Sequence, residues 1–463
     1  MPTETKLKTP SVARQPLVCT ALLVGAMALS SCQIFSTEVK NPNAVTEDAI
    51  ASASAAAGSL VTGLYGAVNA AGNQVIGTSG AAADELTWVG SREYWNLLDV
   101  GDVGDPLNEY TDGQFSYVAQ ARWMGDYVIP KLEGYDKANT LRSRTDLAQA
   151  YFLTATIYTL IGESYEDFVI SSDRIANGAP VGVDNMRIMF DSAVTYLGKG
   201  LAIAQATNNL PLQGRILGMR ARAKFSKAVW SSLRAPRAFP AQPLINDAGA
   251  NADALAALTA MGASTFRYRF DVVTQNNGGY FSTGGEMNSR LEIRAGSRYI
   301  NTIAAGTRPQ DGVAGIKLVD PVTGQTDPVT LANIDECCRL ASTTNVGWTA
   351  TSGKEMLLIL AEAALATGNT AEFATRINAV RAVNALPAWT GTPAARDILI
   401  HERAVSLFLQ GRRLNDHYRF QERADRWVAT RGLRPCFFPI SYNERQQNPL
   451  APQPAQDRPA ACQ

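Results

Sequence analysis

The stretch from Thr351 to Leu386, TSGKEMLLILAEAALATGNTAEFATRINAVRAVNAL, constrains the fold of this chain more than any other. Apolar and small residues recur in it at spacings of three and four, the period of one helix face. The pattern breaks once, at Gly368-Asn369, and resumes at Thr370. This predicts two helices joined by a tight turn, with alanines where they cross. Such a hairpin cannot bury its apolar face alone, so further hairpins must stack on it. Looser versions lie at about 114–162 and at about 187–232, the latter divided by the turn TNNLPLQG. Alanine is abundant and β-branched alternation is scarce, so the expected fold class is mostly α.

The hairpin at 351–386 looks like a tetratricopeptide unit. Elsewhere the pattern is weaker. Thr46 reads as an N-cap before the helix EDAIASASAAAGSLVTGLYGAVNA. Residues 74–112 are rich in Gly and Asp and read as loop with short helices. From about 235 to 350 the chain becomes an irregular insert. A helix is expected around NDAGANADALAALTAMG, and a short strand with turns at GIKLVDPVTGQTDPVTL. Irregular surface segments on rigid scaffolds often carry binding.

The N-terminus addresses location. Lys6, Lys8 and Arg14 precede the apolar run LVCTALLVGAMALSS, the arrangement of a secretory signal. The run is too short to span a bilayer, which needs roughly 20 apolar residues. Leu29-Ser30-Ser31-Cys32 resembles a bacterial lipobox, which makes Cys32 the lipidated first residue of a mature chain 32–463 and residues 1–31 the signal peptide. Acyl chains there would anchor the protein, at about 0.8 kcal/mol per buried methylene. Lys+Arg and Asp+Glu both total 42, a balance that argues against a nucleic-acid binder. Cys337, Cys338, Cys436 and Cys462 suggest disulfides outside the cytoplasm. Neighbouring cysteines rarely bridge each other, so Cys337 and Cys338 are each expected to reach Cys436 or Cys462. With two histidines and no C-x-x-C, a metal site is not expected.

The segment HERAVSLFLQGRRLNDHYR, 401–419, places Ile398, Glu402, Val405 and Leu409 on one helical face. A carboxylate among apolar residues needs a partner. Gly411 is expected to end or bend the helix and let Arg412 or Arg413 fold back, while Asp416 and Arg419 add a second pair. This reads as an ion-pair cluster that locks a helix end. The segment resembles the C-terminal signature of the SusD/RagB family, through Glu402, Arg403, Leu407, Leu409, Gly411, Arg413, Asp416 and Arg419. Ser406 and Gln410 stand where that family often has acids. MLLILAEAAL, CFFPISYNERQQNPL, the lipobox and NPNA fit the same family. The resemblance implies tetratricopeptide-like hairpins whose loops form a ligand face. It implies a lipoprotein on the outer membrane, facing the exterior, that captures glycan or peptide beside a SusC-like TonB-dependent transporter. It implies no enzyme activity and no cofactor.

Catalytic motifs are missing: there is no G-x-S-x-G, no phosphate-binding G-x-x-x-x-G-K-[ST] and no H-E-x-x-H. His401 and His417 read as packed or surface helix residues, and Asp84-Glu85 as a polar loop or helix start. A glycan binder needs aromatic faces with polar groups beside them. Trp88, Tyr94 and Trp95 are the first candidates, then Tyr280 and Phe281, then Trp348; Trp123 and Trp230 read as core. Two rival functions remain: an envelope scaffold lipoprotein that binds proteins through its hairpins, and an extracytoplasmic glycoside hydrolase using a carboxylate pair.

Overall fold

In the computed structural model the described residues are 54–103, 105, 107–171, 177–234, 240–270, 283–301, 315–338, 347–427 and 437–451. Cys32, Tyr280, Phe281, Cys436 and Cys462 lie outside them, as do residues 1–31, expected to be a signal peptide.

The hairpins expected from periodicity are present. Helix α1 spans Ala57–Ala82, α2 Glu93–Asp99, α3 Glu109–Lys137, α4 Arg144–Ser164, α5 Arg187–Ala206, α6 Leu210–Arg234 and α7 Ala248–Met261. After a short α8 (Thr283–Asn288) and α9 (Pro328–Cys337) come α10 (Gly353–Ala366) and α11 (Thr370–Val383). Last are α12 (Ala395–Ser406), α13 (Arg413–Phe420) and α14 (Tyr442–Gln447). Each of α3 to α7 packs on the helix before or after it, α1 lies across α3 and α4, and α10 packs on α7, α11 and α12. Side-chain caps start many of the helices. Ser143, Asp247, Asp327, Ser352 and Asn369 each accept a hydrogen bond from a first-turn N–H of α4, α7, α9, α10 and α11. None of these helices is long and apolar enough to cross a membrane.

Four short strands form two ribbons. β1 (Leu86–Trp88) pairs antiparallel with β3 (Ile293–Ala295), and β2 (Arg267–Phe270) pairs antiparallel with β4 (Trp348–Ser352) across a bulge at Tyr268/Arg269. Both ribbons join segments far apart in sequence, and periodicity does not reveal such pairings.

The core of the last hairpins gathers Leu358, Phe373, Ile377, Val380, Ile398 and Leu399, all fully buried. Each contributes about 1.5–3 kcal/mol by leaving water.

Three expectations are corrected. Residues 74–82, read as loop, continue α1. Glycine normally weakens a helix, but here it lets other chains close in: a Cβ at Gly72 would collide with the Trp348 ring, and one at Gly80 would press on Leu409 and Leu86. Pro328-Val329-Thr330-Leu331, read as strand and turn, opens α9, because Pro is tolerated in a first turn and Asp327 caps it. Trp123 is half-buried on α3, its ring 5.2 Å from that of Tyr127, whereas Trp230 is core as expected.

Candidate ligand-binding site

The signature segment builds a frame. α12 ends at Ser406, five residues before Gly411, so Leu409 is not on the helical face with Glu402. Leu409 and Gly411 both take positive φ, at 51° and 76°. This turn directs three arginines to three partners. Arg412 Nε donates to Glu355 at 2.7 Å, Arg413 pairs with Asp84 at 3.2 Å, and Arg419 clasps Glu362. Glu402 is met by neither Arg412 nor Arg413, as expected from sequence, but by Arg381 of α11 at 2.7 Å. The expected Asp416–Arg419 pair forms at 2.8 Å, and Arg403 joins it at 2.8 Å. Burial pushes the Asp416 carboxyl up, but Arg403 and Arg419 outweigh it and hold it at about 2.

Asp84 and Glu85, read as a polar loop, are buried anchors at the start of β1. Burial raises Asp84, yet Arg413 and His417 bring it well below the usual carboxylate range. Glu85 has no such partner. Burial drives it up to about 8, even though its Oε1 accepts from the Leu409 N–H at 2.8 Å. The pair thus serves packing, one member charged and one neutral at pH 7. His401 meets Asp327 at 2.9 Å, and His417 meets the Ala83 carbonyl at 2.9 Å; both are buried.

Asp320, Asp327 and His401 lie close enough together to hold a metal ion. The donor set does not fit one. Arg381 covers both Asp320 oxygens at 2.9 and 3.0 Å, and Asp327 Oδ1 caps α9 while Oδ2 meets His401. A guanidinium occupies the place a cation would take.

The aromatic candidates separate into two groups. Trp95 is 2% exposed, lies 4.1 Å from Tyr110 centroid to centroid, and donates its ring N–H to Glu286 at 3.0 Å. Trp348 is 3% exposed, stacks on Phe270 at 4.4 Å, and donates to Asn69 Oδ1 at 3.1 Å. Each ring has both an aromatic partner and a buried acceptor; contrary to expectation Trp95 is core, while Trp348, though stacked, borders a cavity. Trp88 in β1 and Tyr94 in α2 remain half-buried. The backbone here is held by two carboxylates. Asp99 Oδ2 accepts from the Trp88 N–H and from the Thr87 hydroxyl, both at 2.8 Å, and burial raises Asp99 to about 6. Glu292 accepts from the Ser91 and Arg92 N–H groups at 2.7 and 2.8 Å.

Below Trp348 lies a cavity of about 390 Å³. It opens between the β2–β4 ribbon, α9, the start of α10 and the turn after α12, and Arg267, Glu336, Lys354, Phe408 and Gln410 line it. Arg267 Nη1 sits 2.8 Å from both Glu336 oxygens, and Arg269 holds the same carboxylate. Lys354 Nζ donates to Asn384 Oδ1 at 3.1 Å, and burial, then Arg267, lowers its pKa. Cys337 is also in the wall, bonded to Cys338. The expectation that these two reach Cys436 or Cys462 is therefore corrected: at the end of α9 the adjacent residues place their sulfurs against each other, buried beside Met287. Sequence reasoning passed over Lys354 and Arg381, because in an α-helical pattern a lone cation between apolar positions reads as solvent-facing.

A family model described as the SusD family matches residues 354–433. Solved structures extend the likeness to the fold of most of the chain. A SusD homolog from Bacteroides thetaiotaomicron aligns with TM-score 0.59 at 12% identity, covering 89% of this chain and 99% of the other. A SusD superfamily protein from Bacteroides fragilis gives 0.54 at 13%, over 87% and 99%. A protein from Bacteroides vulgatus described as SusD-like and carbohydrate binding gives 0.50 at 12%, over 80% and 84%. No curated protein matches the sequence.

Proposed function

We propose that this chain, whose segment 354–433 matches the SusD family model and whose helical fold is similar to that of a SusD homolog, is a surface lipoprotein of the SusD/RagB family that captures oligosaccharide. On this reading it passes the captured chain to a SusC-like TonB-dependent transporter in the outer membrane. The observation that carries the reading is the family match, which falls on the signature that assembles the buried frame. The carbohydrate-binding description of the Bacteroides vulgatus protein supports glycan over peptide as ligand. The half-buried Trp88 and Tyr94 supply aromatic surface for sugar C–H groups. Capture without chemistry fits the carboxylates. Asp84, Glu163, Glu355, Glu362 and Asp416 are buried and each is held by arginine, so none is free to act as nucleophile or acid on a glycosidic bond.

Retardation of the chain in native gels cast with polysaccharides tests the capture step. Slowed migration in at least one glycan, relieved by the free oligosaccharide, is expected. Uniform migration in every glycan, with retention on immobilised peptides instead, contradicts it.

A further inference from the structure

The outward face of α3 is not made of the charged residues that normally meet water. Val118, Ala121, Val128 and Leu132 bury one side of this helix. The opposite arc runs through Ser116, Gln120, Trp123, Tyr127 and Lys131, each exposed or half-buried. The Trp123 and Tyr127 rings stack at 5.2 Å, and Lys131 Nζ stands 4.2 Å from the Tyr127 centroid. The acids of the same stretch of helix are engaged elsewhere. Asp126 pairs with Arg122 and accepts from the Tyr158 hydroxyl, Glu133 pairs with Lys199, and Asp136 pairs with Arg144. Among the described residues no carboxylate pairs with Lys131. The face is thus aromatic and cationic.

Beside it lies the start of α1. Met124, next to Trp123, closes over Gly63, where a Cβ would come within 2.8 Å of its methyl carbon. Gly63 is roughly 9 Å along the helix axis from the first residue of α1. No Asp, Glu, Lys, Arg or His occurs in α1, and its exposed residues at this end are Gly58, Ser59, Thr62 and Gly63. Here the described chain begins, at Ser54, and residues 33–53 separate it from Cys32. A chain of that length reaches at most roughly 70–80 Å. An anchor at Cys32 therefore keeps the protein near the bilayer without fixing which side faces it.

Trp, Tyr and Lys gather at the boundary between headgroups and acyl chains, where an apolar body is covered and a polar tip stays wet. A cation there is drawn to anionic headgroups. We infer that the Trp123–Tyr127–Lys131 face of α3, with the uncharged start of α1 beside it, rests on a phosphate-bearing lipid surface and orients the tethered protein. Continuity with the tether and the lack of acids on the face favour lipid over a protein partner. The tether raises the local concentration, so a small patch suffices. The inference rests on the lipid-anchor part of the proposed function and adds the side on which the protein sits.

Tryptophan quenching by brominated lipid tests it. The chain is purified from outer membranes, its acylation at Cys32 is checked by mass spectrometry, and it is reconstituted into vesicles of phosphatidylethanolamine and phosphatidylglycerol brominated near the headgroup. Part of the wild-type fluorescence is expected to be quenched. Trp123→Phe is expected to lose most of that quenching and Lys131→Glu to reduce it, with thermal melts confirming that each variant folds. An acylated wild-type chain that shows no quenching, or equal quenching in Trp123→Phe, would overturn this inference and leave the anchor standing. Loss of a co-purifying barrel from Lys131→Glu, with quenching unchanged, would make the face a protein-docking surface and overturn it too. A chain that carries no acyl group would overturn the anchor reading and this inference with it.

Discussion

Arg419 and Glu362 meet with no exposure to solvent on either side chain: two guanidinium nitrogens face two carboxylate oxygens, and Nη2–Oε2 is 3.0 Å. Glu362 also accepts from the Ile245 N–H at 2.8 Å, and Arg419 reaches the Pro243 carbonyl at 3.0 Å. One pair therefore ties α10, α13 and the segment before α7 together. Removing one partner leaves a buried charge unmatched, at a cost of about 3–5 kcal/mol. Glu362→Gln and Arg419→Met should each lower unfolding stability by that order in urea titrations. Arg419→Lys should not rescue, because an ammonium cannot reproduce the forked geometry.

Glu85 sets a pH dependence of known sign. Its folded pKa, about 8, lies above the unfolded value near 4.5. Its contribution to stability is thus fully present below about pH 4.5 and is lost as pH rises through about 8. Glu85→Gln keeps an acceptor for the Leu409 N–H and cannot ionise. Melting curves should show Glu85→Gln close to wild type at pH 5 and more stable by a few degrees, roughly, at pH 8.5. A wild-type excess at pH 8.5 would refute the neutral assignment.

Trp88 and Trp348 should respond to truncation in opposite ways. Trp348 fills the space left by Gly72 and stacks on Phe270, so Trp348→Ala should cost about 3–5 kcal/mol of stability. Trp88 is half-buried, and Trp88→Ala should reduce oligosaccharide binding several-fold while lowering the melting temperature less. Paired calorimetry and melting experiments distinguish the two.

The Cys337–Cys338 bond predicts a peptide map. Non-reducing trypsin digestion should yield residues 318–339 as one peptide, two hydrogens lighter than its reduced form. A peptide joining either cysteine to Cys436 or Cys462 would contradict it. The bond closes almost no loop, so in the chain-entropy picture reduction should change global stability little.

Helix pairing was legible because 3.6-residue periodicity is a local signal: α10 and α11 fall close to where the pattern of residues 351–386 places them. The Asp416–Arg419 pair, three residues apart on one short helix, was legible for the same reason. Partners distant in sequence were not. Glu402 finds Arg381, and Arg413 finds Asp84, through tertiary packing that no spacing rule encodes. Trp95 and Trp348 were read as exposed because their neighbours in sequence are polar, but burial depends on their neighbours in space. The same gap hid the cavity at Lys354, whose walls come from five separate stretches of chain.

Capture for a transporter is tested most directly by purifying the native chain from outer membranes in mild detergent, with mass spectrometry of what accompanies it. The account predicts a stoichiometric TonB-dependent barrel in the eluate. Recovery of the chain alone, or with other envelope proteins and no barrel, would contradict it.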